Sequence, residues 1–175
     1  MKYVTVIGSR ELPHKYAERL IEVIKILNEQ GYVIRSGGAK GSDSLVTKFA
    51  TSKHIFVPWI GFSGSVEEYD VSKFRNYQKA REIAAAHHSQ WGYLSNGVRK
   101  LHTRNVYQVL GMRLDEPSEF IVCYTPDGAT HETTNLTGGT GQAIRIAVTY
   151  KVPVYNVQNE FSYVALLAKL NEVKK

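Results

Sequence analysis

Two glycine-rich turns, each between an apolar strand-like run and a helix-like stretch, constrain this chain's fold most strongly. The first, Ser36-Gly-Gly-Ala-Lys-Gly-Ser-Asp43, follows the apolar run 31–35, and the second, Thr137-Gly-Gly-Thr-Gly-Gln142, opens the helix-like stretch 143–148. Glycine lets the backbone approach a ligand closely. A helix that begins directly behind such a turn offers unpaired N–H groups to an anion. Together the two turns predict a nucleotide or another phosphate-bearing ligand.

Strand-like and helix-like runs alternate along the chain. The patterns predict strands at 3–7, 32–34, 55–57, 120–124 and 153–156, and helices at 13–31, 42–51, 72–89, 98–110, 143–148 and 163–173, with loops at 58–70 and 125–136. This alternation is typical of an α/β fold with a mostly parallel sheet. The length predicts one domain, residues 1–175, with a helical insert at about 60–115 near the carboxyl edge of the strands.

Charge and cysteine content narrow the function classes. The formal net charge is +6, which favours anionic partners such as nucleotides and nucleic acid. Cys123 is the single cysteine, so an intramolecular disulfide and a cysteine metal cluster are excluded, and its apolar surroundings predict a buried structural thiol. The chain opens directly into a strand and has no apolar run near the ~20 residues that span a bilayer. We therefore expect a cytoplasmic protein without a membrane partner.

The end of the first predicted strand, Gly8-Ser9-Arg10, is a candidate phosphate contact, with a plain turn and a solvated arginine as the alternative. Lys40 adds a positive charge within the first glycine turn. The spacing fits neither the Walker A motif nor the dinucleotide fingerprint. Asp43 is placed either to cap the following helix or to hold a ribose hydroxyl.

The insert supplies a candidate wall for the base or ribose, formed by Trp91, His102, Arg104 and Asn105, with helix packing as the alternative. No metal site or cofactor is expected, because adjacent histidines on a helix point in different directions and the nearby carboxylates lack ligand spacing.

The polar loop 125–136 carries three further candidates. Asp127, in a Pro-Asp-Gly sequence, is either a ligand contact or part of an ordinary turn. His131 and Glu132 lie on the same loop, and the sequence leaves their positions open.

The motifs Gly8-Ser9-Arg10 and Arg35-Ser-Gly-Gly-Ala-Lys-Gly-Ser-Asp43 resemble the Rossmann-like core of the DprA/Smf DNA-processing proteins, within the SLOG superfamily. The segments Leu101-His-Thr-Arg-Asn105, Thr125-Pro-Asp-Gly128 and Gly138-Gly-Thr-Gly-Gln142 are similar to small phage-encoded members of that group. The resemblance implies a Rossmann-like, twisted parallel sheet flanked by helices, a nucleotide-related ligand and a homo-oligomer. For a phage protein it implies the host cytoplasm.

One position departs from the LOG-type phosphoribohydrolases of the same superfamily. Their second glycine turn carries a glutamate that assists glycosidic cleavage, and here Arg145 stands in its place. A guanidinium is no general base at neutral pH, but it binds phosphate well. Hydrolysis would then fall to Asp127 or Glu132, the two catalytic candidates.

Three hypotheses follow. The leading one is binding of a nucleotide or nucleotide-derived signal, with a phage protein that sequesters a defence messenger as its most specific form. The alternatives are a nucleotide N-glycosidase and a DprA-like protein that binds single-stranded DNA. The residues expected to bind ligand or phosphate are Gly8, Ser9, Arg10, Ser36, Gly37, Gly38, Lys40, Gly41, Ser42, Asp43, Gly138, Gly139, Thr140, Gly141, Gln142 and Arg145.

Overall fold

A computed structural model describes residues 1–64 and 69–172. In these residues six parallel strands form one sheet in the order β4-β3-β2-β1-β5-β6. The strands are β1 (Tyr3–Gly8), β2 (Val33–Ser36), β3 (Lys53–Val57), β4 (Tyr69–Asp70), β5 (Ile121–Tyr124) and β6 (Val154–Asn156). The predicted α/β class with a parallel, Rossmann-like sheet is confirmed.

Six α-helices connect or follow the strands in the described parts of the chain. They are α1 (His14–Glu29), α2 (Ser42–Phe49), α3 (Tyr77–Ala86), α4 (Asn96–Leu110), α5 (Thr140–Thr149) and α6 (Glu160–Glu172). The predicted end of the last helix at residue 173 lies outside the described residues. None of the helices within the described ranges is long and apolar enough to cross a membrane.

The strands are apolar on both sides because helices cover both faces of the sheet. On one face Val4, Val6 and Val122 pack with helices α1, α2 and α6. On the other face Ile7 and Cys123 pack with helices α3, α4 and α5. Cys123 is fully buried, as predicted, and burial raises the pKa of its thiol.

The insert differs from the prediction in three ways. The stretch 72–89 is not one helix, because a 3-10 turn at Val71–Lys73 precedes α3. The predicted loop 58–70 contains a two-residue strand, β4, at the edge of the sheet; its residues 65–68 lie outside the description. Helix α4 contributes Val106, Tyr107 and Leu110 to the core, so the insert covers a face of the sheet as well as its edge.

Candidate functional site

A cavity of about 530 Å³ opens at the carboxyl ends of β1 and β5, where the strand order reverses. Ligands of open α/β sheets bind in the crevice at such a reversal. The volume lies within the range of small-molecule sites. Its lining residues are Ile7, Gly8, Ser9, Arg10, Glu11, Ala39, Asp43, Val98, Leu101, His102, Arg104, Asn105, Gln108, Pro126, Gly138, Gly139, Thr140 and Ala143.

The turn after β1 and the first glycine turn are packed against each other. Ser42 donates both its amide (3.2 Å) and its hydroxyl (2.9 Å) to the carbonyl of Ser9. Gly41, the N-cap of α2, has a φ of 75°, and a Cβ there would lie 2.1 Å from the carbonyl oxygen of Arg10. Because Gly41 has no side chain, the start of α2 can lie against the Arg10 backbone. Gly41 is also the helix cap, in place of the predicted Ser42 or Asp43.

Helix α4 packs against the other side of the first glycine turn. Arg104, which is buried, donates Nη1 to the carbonyl oxygens of Gly37 and, at 3.3 Å, Phe56. With its amide oxygen turned towards Gly37, Gln108 accepts from the Gly37 amide at 3.3 Å. A Cβ at Gly37 would lie 2.0 Å from the nearer terminal atom of the Gln108 side-chain amide. Gly37 is thus required for contact with the protein itself rather than with a ligand.

Asp43 is the buried acid of the cavity. Its Oδ2 accepts from the Ala39 amide at 3.3 Å. No described donor meets hydrogen-bond geometry at Oδ1, although the Gly8 amide and the Ser36 hydroxyl lie near enough to favour the charged form. Burial raises the pKa of Asp43, and the charge of Arg104 opposes that rise. Asp43 therefore places a buried carboxyl group with one under-bonded oxygen at the cavity lining.

The second glycine turn faces open space. A Cβ at Gly138 or Gly139 would meet no atom within 4 Å, and both residues line the cavity together with Thr140. The Gly141 amide bonds the Gly138 carbonyl at 3.0 Å. Helix α5 begins at Thr140, and the first N–H groups of a helix have no partner within it. This turn, unlike the first, leaves room for a ligand to approach the backbone.

His102 is held as a neutral ring with a defined tautomer. Gln142 donates Nε2 to the Ala84 carbonyl at 2.9 Å, which fixes its Oε1 as an acceptor. Asn105 Nδ2 lies 3.2 Å from this oxygen and His102 Nδ1 lies 3.0 Å from it. His102 therefore donates from Nδ1 and keeps Nε2 as an acceptor. Burial lowers the pKa of His102 to about 4.

Two apolar residues, Val98 and Leu101, were missing from the residues predicted to line the cavity, whereas His102 and Asn105 were among them. Val98, Leu101, His102 and Asn105 all line it, spaced i, i+3, i+4 and i+7 along α4. That spacing marks one face of a helix, so the periodicity of 98–110 carried the signal. Gln108 was also missed, because its role depends on Gly37 from a distant turn.

Several predicted ligand residues do not line this cavity. Ser36, Gly37, Gly38, Gly41 and Ser42 lie in the packed part of the first turn, Lys40 is exposed, and Gly141 and Gln142 are buried behind the second turn. The ring of Trp91 contacts the guanidinium groups of Arg81 and Arg99, whose carbons lie 5.8 and 5.6 Å from its centre. Trp91 therefore has a structural environment away from the expected base wall.

The two catalytic candidates also lie outside the cavity lining. Asp127 accepts hydrogen bonds from the hydroxyls of Thr125 (2.8 Å), Thr134 (2.8 Å) and Thr137 (2.5 Å). Partial burial alone would raise the pKa of Asp127, but these hydrogen bonds outweigh it and the pKa is lowered. Glu132 is exposed on the same loop. Asp127 thus organises the loop as an ionised acceptor.

Arg145 lines a second cavity, of about 830 Å³. Its Nε donates to the His87 carbonyl at 2.8 Å and its Nη1 to the Thr133 hydroxyl at 2.9 Å. Gly138 lines both cavities, so the second glycine turn borders each of them.

A solved structure with a similar fold is that of DNA processing protein A from Helicobacter pylori, whose single-stranded DNA binding mode is described with it. The similarity has a TM-score of 0.51 and 17% sequence identity, and it covers 89% of this chain and 64% of that one. This chain therefore spans less than two thirds of that protein's length. No protein-family model and no curated protein matches the sequence.

The similarity confirms the fold of the DprA resemblance, because the two structures align over 89% of this chain. Membership of the SLOG superfamily and a phage origin stay predictions.

Proposed function

We propose that the cavity at the ends of β1 and β5 binds a nucleotide or a nucleotide-derived signalling molecule. The observation that carries the proposal is the combination of groups at the strand-order reversal. An apolar wall from α4 suits a base, Asp43 in the cavity lining suits a ribose hydroxyl, and Arg10 with the amides of the second glycine turn suits a phosphate. Sequestration of a defence messenger is the most specific form of this proposal.

The test is a binding panel of nucleoside monophosphates, cyclic dinucleotides and ADP-ribose derivatives, measured by calorimetry. Mass spectrometry of small molecules released from the purified protein would identify a retained ligand directly. We expect Arg10→Gln to weaken binding by about 10-fold to 100-fold, since it removes a charged hydrogen-bond donor. Arg75→Gln, which changes the same charge at an exposed position, is the matched control. Equal affinities in the wild type and Arg10→Gln would overturn the proposed site.

The N-glycosidase alternative receives less support, because Asp127 and Glu132 are outside the cavity lining. The same incubations, analysed by chromatography for free base, test it. Release of base from any nucleotide would favour hydrolysis over simple binding.

Single-stranded DNA is the second candidate ligand. It is favoured by the net charge of +6 and by the fold shared with a protein described as binding single-stranded DNA. Binding driven by phosphate contacts must weaken steeply as salt rises. A salt titration of oligonucleotide affinity tests it, and an affinity independent of salt would argue against this candidate. Sedimentation in the same buffers would check the predicted homo-oligomer.

A further inference from the structure

The second cavity is polar and is built around Arg145. It lies between the end of α3, the loop 131–135 and helix α5. None of the described side chains that line it is a carboxylate. Its polar lining comes from imidazoles, hydroxyls and amides, including His88, His131, Thr133 and Asn135. Such a lining offers hydrogen-bond donors and no negative charge.

Arg145 is half-buried, and the described residues do not use all of the hydrogen-bond donors of its guanidinium group. It forms no ion pair with any described carboxylate. Its Nε and Nη1 are bonded to neutral groups, and its Nη2 has no hydrogen-bond partner among the described residues. Thr133 accepts from Nη1, so the proton of its own hydroxyl is available to another acceptor. A guanidinium in this state binds phosphate oxygens well.

The two cavities are neighbours. Gly138 lines both, and the ring of His88 in the second cavity lies 4.6 Å from the ring of His102 in the first. The second glycine turn and these two imidazoles therefore lie at the border between the cavities. The separating residues are the exposed Gly138 and a pair of imidazoles.

We propose that the second cavity is an anion subsite that receives a second phosphate from a ligand whose first nucleotide occupies the first cavity. The ligand class is then a nucleotide joined to a further phosphate-bearing nucleotide. The source of that phosphate is a dinucleotide or a continuing DNA strand. This inference rests on the proposed function for the first cavity.

The test compares three probes by calorimetry: AMP, the 5′-phosphorylated dinucleotide pApA, and an oligothymidylate. We expect Arg145→Gln to weaken pApA binding at least about 10-fold while AMP affinity stays within about 2-fold. The control Arg75→Gln should change neither. The inference would be overturned if Arg145→Gln weakened AMP and pApA binding to the same degree, or if it weakened neither. Weaker oligothymidylate binding in Arg145→Gln as well would identify a continuing strand as the source, and unchanged oligothymidylate binding would identify a dinucleotide.

A probe that needs no nucleotide separates this inference from the proposed function. Inorganic pyrophosphate binding is measured in the wild type, Arg10→Gln and Arg145→Gln. Suppose that nucleotides do not bind, and that pyrophosphate binding is lost in Arg145→Gln but kept in Arg10→Gln. The subsite then stands and the proposed function fails. Unchanged pyrophosphate affinity in Arg145→Gln removes the subsite. Should that variant not fold, Thr133→Val replaces it, with the same two outcomes.

Discussion

At the scale of single residues, the polar groups of the first cavity are held by one another rather than by solvent. His102, Asn105 and Gln142 share one acceptor oxygen, and the Ala84 carbonyl fixes its orientation. Buried polar groups of this kind are costly when a partner is lost. The neutral state of His102 is therefore part of the stability of the cavity as well as of its chemistry.

His102 should make the protein less stable in acid. Its pKa is about 4 in the folded chain against an ordinary 6.5, so the unfolded chain takes up the proton first as the pH falls. Stability is then lost between pH 6.5 and pH 4, by about 2 kcal/mol from pH 7 to pH 5. Urea unfolding of His102→Gln at both pH values should lack this loss.

The control for that experiment is His14→Gln, which removes an exposed imidazole. If the wild type and His102→Gln lose the same free energy of unfolding between pH 7 and pH 5, His102 is not the group responsible.

At the scale of elements, the two glycine turns have different physical reasons for their glycines. In the first turn Gly37 and Gly41 are in close contact with α4 and with the Arg10 backbone. In the second turn Gly138 and Gly139 face open space beside the cavity. The same sequence signature thus serves internal packing in one place and leaves access to the backbone in the other.

Alanine substitutions should separate these two uses. We expect Gly37→Ala to lower the free energy of unfolding by about 1 to 3 kcal/mol, because the new methyl would displace Gln108 and Arg104. Gly139→Ala, at a helical φ of −62° with no neighbour within 4 Å, should change it by less than about 1 kcal/mol.

For the second turn, we expect Gly139→Ala to affect ligand affinity more than stability. The methyl of Gly139→Ala enters the cavity, so we expect weaker nucleotide binding in a protein of normal stability. Thermal unfolding and calorimetry on both variants check the pair. Normal stability of Gly37→Ala would contradict the packing role of the first turn.

At the scale of the whole molecule, one sheet carries a core on each face, and the buried apolar residues of helix α4 belong to one of them. Helix α4 packs Val106, Tyr107 and Leu110 with Ile7 of β1 and Cys123 of β5. The N-terminal half of the same helix lines the first cavity. Because α4 contributes to both the core and the cavity, the insert is packed against the rest of the chain.

We therefore expect the described parts of the chain to unfold in one cooperative transition. Of the two tryptophans, Trp91 lies in the insert and Trp59 directly precedes it, whereas far-ultraviolet circular dichroism reports all helices. The two signals should give the same urea midpoint, as a two-state transition requires. An earlier fluorescence midpoint would mean that the insert unfolds separately.

Local pattern predicted the helices and strands well, and it also picked out some of the residues that line the first cavity. The apolar runs fixed five of the strands within one or two residues, because a sheet buried on both faces demands continuous apolar sequence. The two-residue β4 was missed, since so short a run has no periodicity. Arg10, Asp43, His102, Arg104 and Asn105 were expected at the site and do line the cavity.

The sequence alone determined the α/β class, the buried cysteine and the two turns, because these depend on local periodicity and on the backbone freedom of glycine. Only the tertiary structure decided which turn is open and which is packed, and that Arg145 lines a different cavity from Arg10. Those outcomes depend on side chains outside each motif, such as Gln108 against Gly37 and Thr133 against Arg145. Contacts of that kind are set by helix packing and leave no local pattern.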